Sequence, residues 1–314
     1  TLKATERIVV SLSAFDVVIL AFQTGEAFMN VGRFSITPSV LLGATLLSAS
    51  ALSSSTALAQ AVFQGTGANA AAIQGSVDGF RAALGTLNAN VSGSFGTGRR
   101  EINWDGVSEA LSAPNNLAPN FFNVNSPRGV VFTTPGTGFQ VSGTGATNNQ
   151  FSNLEPTAPA FLEPFSNARL FTSIGSNITD VNFFVPGLTQ SATTTAFGAV
   201  FSDVDFANTS SLEFFDASNN SIGKFFVPAT NGDATFSFLG VQFNGGQRVG
   251  RVRITAGNGV LGAHDLAPDL VALDDFIYAE PNAVVPEPAS IVLMAGGLSL
   301  LMIAYLRKSN RRGV

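Results

Sequence analysis

Between residues 129 and 281 the chain is written in period two. In Arg251-Val252-Arg253-Ile254-Thr255 aliphatic residues alternate with charged and polar ones, and Val181, Phe183 and Val185 alternate in the same way. Successive side chains of a strand point to opposite faces, so each stretch reads as a strand with one buried and one wet face. TTAFGAVFSDVDF, SSLEFFDASNNSIGKFFVPA, ATFSFLGVQFNGG, RVGRVRITAG and VALDDFIYAEP follow one another with Gly, Pro, Asn and Asp between them. This succession predicts an all-β fold, an antiparallel β-sandwich of jelly-roll type over 77–280. GVVFTTPGTGFQVSG, residues 129–143, reads as a hairpin turning at Pro-Gly-Thr-Gly. Val77, Phe80, Leu84 and Leu87 fall at helical spacing and predict one short packed helix. Ahead of it, 60–76 reads as a flexible leader, and 281–288 as an extended linker bearing prolines.

Composition narrows the chemistry. There is no cysteine, which removes disulfides, thiolate zinc sites and a thiol nucleophile, so stability must come from burial, and 28 phenylalanines supply it. The single histidine, His264, lies in the loop GAHDLAPD and is expected to be solvated. A Ser-His-Asp triad would need that residue, and a two-histidine metal site is excluded. No Gly-rich phosphate loop opens a helix, and strands do not alternate with helices, so nucleotide chemistry is disfavoured. Residues 60–288 carry nine Arg or Lys against eighteen Asp or Glu, a balance that repels nucleic acid and anionic lipid.

Both ends read as addresses rather than structure. In 29–59, Arg33 forms a basic start, 40–51 an apolar core and Ala57-Leu58-Ala59 a cleavage site before Gln60, the order of a secretory signal peptide handled by the translocon and signal peptidase. Residues 1–28 are read as a mistranslated upstream extension, with translation starting at Met29; an unusually long signal peptide is the alternative. At the other end Pro286-Glu287-Pro288 precedes the uncharged run 289–306, which as a transmembrane helix spans roughly 27 Å, one bilayer crossing. Arg307, Lys308, Arg311 and Arg312 in the tail 307–314 place that end in the cytoplasm and the body on the other side of the membrane.

The triplet, apolar helix and basic end, in that order, resemble the PEP-CTERM sorting signal of Gram-negative bacteria. The resemblance implies that Pro286-Glu287-Pro288 is the recognition element of an exosortase, a membrane-embedded cysteine transpeptidase found in bacteria that often make an exopolysaccharide matrix. It implies cargo that is transiently anchored in the inner membrane and then delivered to the cell surface or extracellular matrix. A plain C-terminal anchor with a coincidental triplet is the alternative. Through GRREINWDGV (98–107), GAVFSDVD (198–205), SFLGVQF (237–243) and VALDDFIYAEP (271–281) the body is also similar to a group of cargo domains on such proteins. That likeness implies a β-sandwich surface domain and brings no activity with it. The expected function is structural or binding, with extracellular polysaccharide as a partner; the rival class is a secreted polysaccharide hydrolase.

Four aspartates raise the question of a metal. Asp203 and Asp205 share the phase of Phe197, Ala199 and Phe201, so both should point where core residues point. Asp274 and Asp275 are adjacent, so at least one should face protein. A structural Ca²⁺ held by these carboxylates would satisfy them; so would turn caps, backbone N–H groups or pairing with Arg251 and Arg253. Trp104, the lone tryptophan, offers an indole face for a sugar, against the commoner reading of a packed ring beside a turn. Glu101 and Asp105 would be the carboxylate pair of a hydrolase.

Overall fold

The computed structural model describes residues 9–13, 16–20, 60–145, 148–262 and 269–284. The expected signal peptide, His264, Pro286-Glu287-Pro288, the apolar run 289–306 and the basic tail lie outside the described residues. No described helix is long and apolar enough to cross a membrane. The chain divides into two units, Thr1–Ser55 and Thr56–Val314. In the first, β1 (Val9–Ser13) and β2 (Asp16–Leu20) pair antiparallel.

The second unit is a two-sheet sandwich with one helix laid on its outer side. Its larger sheet contains β3 (Gln60–Gly67), β4 (Arg99–Ile102), β6 (Gly138–Val141), β7 (Phe171–Ile174), β10 (Ala196–Ser202), β13 (Phe236–Phe243) and β15 (Ala272–Ala279). They run in the order β3-β13-β10-β15-β7-β6, with β4 also paired to β15. The smaller sheet has the order β12-β11-β14-β8-β5, from β5 (Val130–Thr133), β8 (Ile178–Phe183), β11 (Ser211–Phe215), β12 (Ser221–Phe226) and β14 (Arg251–Thr255). All these pairings are antiparallel. A short pair, β9 (Ala192–Thr193) with β16 (Asn282–Ala283), pins the end of the described body.

Alternation fills the space between the sheets. Phe197, Ala199 and Phe201 of β10, Leu239 and Val241 of β13, and Phe276 and Tyr278 of β15 meet Phe132, Val181, Phe183, Leu212, Phe214, Val252 and Ile254 of the smaller sheet in one core. As expected, Val252 and Ile254 are buried while Arg251 and Arg253 are not. The hairpin expected over 129–143 does not form. β5 pairs with β8 and β6 with β7, so the Pro-Gly-Thr-Gly turn carries the chain from one sheet to the other. Phe132 and Phe139, on either side of that turn, then face each other across the core with ring centroids 5.7 Å apart. Local sequence marks a turn; which sheet each arm joins is decided by distant strands.

The helix α1 (Ala70–Leu84) starts earlier than its apolar spacing suggests, because the Asn69 side chain accepts the Ala72 N–H at 3.1 Å and alanines fill the first turn. Ile73, Val77, Phe80 and Leu84 pack on the outer face of the larger sheet against Ala196, Val200, Phe238 and Ile277, while Leu87 stays exposed. The larger sheet is therefore covered on both faces, and every residue of β10 is buried. Residues 60–76 are not a flexible leader. Gln60–Gly67 pairs along its whole length with β13, and the rest begins α1, since the edge of β13 and the sheet under the helix both need covering.

Candidate functional site

The sequence offered three candidate constellations, and the fold separates them. Asp274 and Asp275 lie at a β-bulge in β15: Ala199 pairs with Phe276 while Phe201 pairs with Leu273, leaving one extra residue in β15. The bulge lets Leu273 and Phe276, three apart, both enter the inter-sheet core. Asp274 is satisfied by protein, and Asp275 in part, since its Oδ1 has no hydrogen-bond partner. Asp274 Oδ2 accepts from Phe165 N at 2.7 Å and Ser166 N at 3.1 Å, and its Oδ1 accepts from the Ser166 hydroxyl at 2.9 Å and Asp275 N at 2.8 Å. Asp275 pairs with Arg81 of α1 at 2.8 Å. Burial, with Asp275 beside it, pushes the Asp274 carboxyl well up. Burial also pushes Asp275 up to about 6 against the pull of Arg81. Through these bonds the carboxylates hold the loop at Phe165 and the helix to the bulge.

Trp104 is not available to a sugar. It is 1% exposed and stacks on Phe171 at 4.1 Å between centroids with a 6° interplanar angle, with Phe122 and Phe276 edge-on to it. Its left-handed backbone (φ 66°) turns the indole inward at the end of β4. Glu101 and Asp105 do not form a free catalytic pair either. Both oxygens of Glu101 take guanidinium donors, from Arg81 at 3.0 Å and Arg99 at 2.6 Å, and Asp105 Oδ1 accepts the Ala168 N–H at 3.0 Å.

The end of β10 departs from the expected phase. Asp203 has a left-handed backbone (φ 71°), which breaks the alternation and sends Val204 rather than the aspartates into the inter-sheet core. Asp203 is nonetheless only 4% exposed, and Asp205 is half-buried. Neither pairs with Arg251 or Arg253, whose partner is Asp180. Near them the fold brings Asp233, from the exposed turn after β12, and Asp269, which is 1% exposed and accepts the Asp205 N–H at 2.9 Å. Desolvation first, then the charges of Asp205, Asp233 and Asp269, push the Asp203 carboxyl up to about 7. As the side chains stand, no three Asp, Glu, His or Cys among the described residues surround one point in a way that could hold a metal ion.

The outer face of the smaller sheet is a rigid polar surface that single-residue reading missed. Asp180 of β8 receives Arg251 Nη1 at 2.7 Å, Arg253 Nε at 2.9 Å and Arg253 Nη2 at 2.8 Å. Arg251 also donates to Asn219 Oδ1 at 2.6 Å, and its guanidinium lies 3.7 Å from the Phe215 ring centroid. Asn182 is opposite Arg251 in the β8–β14 register and donates to Val131 O at 3.1 Å. A shallow cleft of about 380 Å³ opens beside these groups, lined by Asn182, Phe184, Ser191, Asp216, Asn219, Arg251 and Val284 among others. Asp180 and Asn182 did carry a signal, their outward phase in β8. The partner strand, some seventy residues on in sequence, did not.

No protein-family profile matches the chain, and no curated protein does. Among solved structures, the chain is similar to the enzymatically active domain of tailspike protein 4 of bacteriophage CBA120, with 13% identity and a TM-score of 0.24. The likeness covers 55% of this chain and 22% of the tailspike chain, and at that score it carries no argument.

Proposed function

We propose that the chain is an exported, non-catalytic β-sandwich protein, sorted by an exosortase to the cell surface or matrix, whose smaller sheet offers its outer face to extracellular polysaccharide. The observation that carries this reading is the fit between the fold and the two expected processing sites. Strand β3 opens at Gln60, the residue after the expected signal cleavage, and pairs from that first residue with Phe243. Strand β16 ends at Ala283, just ahead of Pro286. Cutting at both places would leave every described element of the sandwich whole.

The polysaccharide reading rests on the chemistry of the sheet face. Sugar hydroxyls are read by planar amide, carboxylate and guanidinium groups, and binding costs least where those groups are already fixed. Asp180, Asn219 and Arg251 are fixed by one another. Of the nine basic residues in 60–288, Lys224, Arg251 and Arg253 belong to this sheet and Arg248 stands beside it, set against Asp180, Glu213 and Asp216, so basic charge is concentrated here relative to the rest of an acidic body. The non-catalytic reading is supported by Glu101, whose oxygens are taken up by Arg81 and Arg99.

Mass spectrometry of the cell-associated protein tests the sorting reading. The expected form begins at or near Gln60 and lacks the residues after Pro288. A surface-exposed form that keeps Arg311 and Arg312 would contradict exosortase processing and leave a simple anchor.

A further inference from the structure

Three irregular loops and the last described strand meet at one end of the sandwich. Gly93 N donates to Pro186 O at 2.8 Å, while the Asn123 side chain accepts from Gly187 N at 3.0 Å and donates to Leu188 O at 2.9 Å. The Ser94 hydroxyl donates to Asn282 Oδ1 at 2.7 Å, Phe95 N to Glu280 Oε1 at 3.2 Å and Val284 N to Ser191 O at 3.3 Å. Segments 86–98, 120–128, 184–191 and 281–284 are thereby laced into one surface.

That surface is apolar and nearly uncharged. Ten large apolar side chains are exposed among the described residues, and five of them, Val91, Phe95, Val124, Leu188 and Val284, stand on these four segments at 38–61% exposure. Single exposed apolar residues are ordinary; half of them gathered on one surface mark a contact. None of the eighteen acidic residues of 60–288 falls in the four segments, and their one charged residue is Arg128, whose Nε is spent on Glu101 O at 2.9 Å.

What covers the surface follows from where the chain goes next. The described body ends at Val284, within this surface, and the uncharged run 289–306 begins five residue steps later, a reach of at most about 18 Å fully extended. With that run across a bilayer, the tether holds these loops beside the lipid at high effective concentration, so shallow insertion of a few side chains suffices. Asp203 and Asp205 follow the opposite end of β10, away from the lipid.

We propose that this end of the sandwich is a membrane-facing surface: in the anchored form Val91, Phe95, Val124 and Leu188 rest in the headgroup layer of the bilayer that 289–306 crosses. The partner is a lipid surface met through apolar burial, since an acidic body gains nothing from anionic headgroups. Contact at several loops would hold the body in one orientation, where a tether alone would let it swing. The inference rests on the bilayer-crossing reading of 289–306 and is independent of the glycan face.

The chain has no cysteine, so single introduced cysteines can be labelled cleanly. Full chain carrying Val124→Cys, Leu188→Cys or the distant control Phe206→Cys is labelled with an environment-sensitive fluorophore and reconstituted into phosphatidylcholine vesicles that contain a nitroxide-headgroup lipid. Phe206 is 50% exposed and lies beyond the opposite end of β10. Quenching at Val124 and Leu188 should be at least about twice that at Phe206, because the interfacial layer is about 5–10 Å deep and β10 alone spans about 23 Å. Equal quenching at all three positions in a chain that floats with the vesicles would overturn the proposal and leave the anchor reading standing. A chain that alkaline carbonate strips from the vesicles would overturn both. Blue-shifted but unquenched labels at Val124 and Leu188 would mean that a second copy or the run 289–306 itself covers the surface, which also overturns it. If one of the two variants fails to fold, the other decides.

Discussion

Arg100 and Glu280 form a two-point ion pair in the interior, Nε to Oε2 at 2.7 Å and Nη2 to Oε1 at 2.8 Å, with Arg100 0% and Glu280 2% exposed. The guanidinium spends its remaining donors on Ala89 O and Pro127 O at 2.8 Å and Gly93 O at 3.1 Å. Glu280 also takes the Asn88 amide at 2.8 Å. One pair thus ties the end of β15 to two irregular segments that have no ladder of their own. Removing one partner strands the other charge in the interior, so Glu280→Gln and Arg100→Ala should each cost about 3–5 kcal/mol, read from urea unfolding. A loss near zero would mean that water reaches the pair.

Phe80 packs on two glycines. Gly198 and Gly240 are directly paired across β10 and β13, and a Cβ on either would stand 2.9 Å from the Phe80 ring. Glycine is required here because the ring of α1 occupies the place of a side chain. Gly240→Ala should cost about 1–3 kcal/mol by overpacking. In the Phe80→Ala background the same change should cost much less, and a double-mutant cycle measures that coupling.

Stability should fall as pH rises across the neutral range. The Asp203 carboxyl is pushed up to about 7, so the folded chain holds a proton there that the unfolded chain releases near pH ~4. Asp275, pushed up to about 6, adds a contribution of the same sign over a lower window. The melting midpoint should therefore decline between about pH 4 and pH 7 on account of these groups, and Asp203→Asn should flatten the upper part of that slope. A parent and an Asp203→Asn curve with the same slope would contradict the burial of this carboxyl.

The all-β class, the inward Val252 and Ile254 and the helical face of α1 were legible because each rests on a local period. The destination of the 129–143 turn was not, since β5 and β6 choose partners by registers set far away in sequence. The Asp203–Asp205 phase failed for a local reason: one left-handed residue ends the alternation, and no pattern of hydrophobicity reports a positive φ at a non-glycine. Asp274 and Asp275 both face protein, one more than alternation requires, because a bulge suspends the rule that neighbours face opposite sides. Asp233 and Asp269 sit in loops, where no period exists to place them.

Trp104 should report on the core rather than on a ligand. Stacked on Phe171 and 1% exposed, it should emit at short wavelength, resist acrylamide quenching and stay unchanged when polysaccharide is added. Trp104→Ala should cost about 3–5 kcal/mol. A shift in emission on adding sugar would place a ligand against this ring and contradict the packing.

The most direct test of the account is co-sedimentation of the full chain with an insoluble polyuronate, alongside a neutral glucan and an assay for new reducing ends. The account predicts saturable, salt-sensitive binding to the polyuronate that Arg251→Ala and Arg253→Ala each weaken while the melting midpoint stays near the parent value, with no new reducing ends. Binding that both variants retain in full, or polymer shortening that Glu101→Gln abolishes, would contradict it.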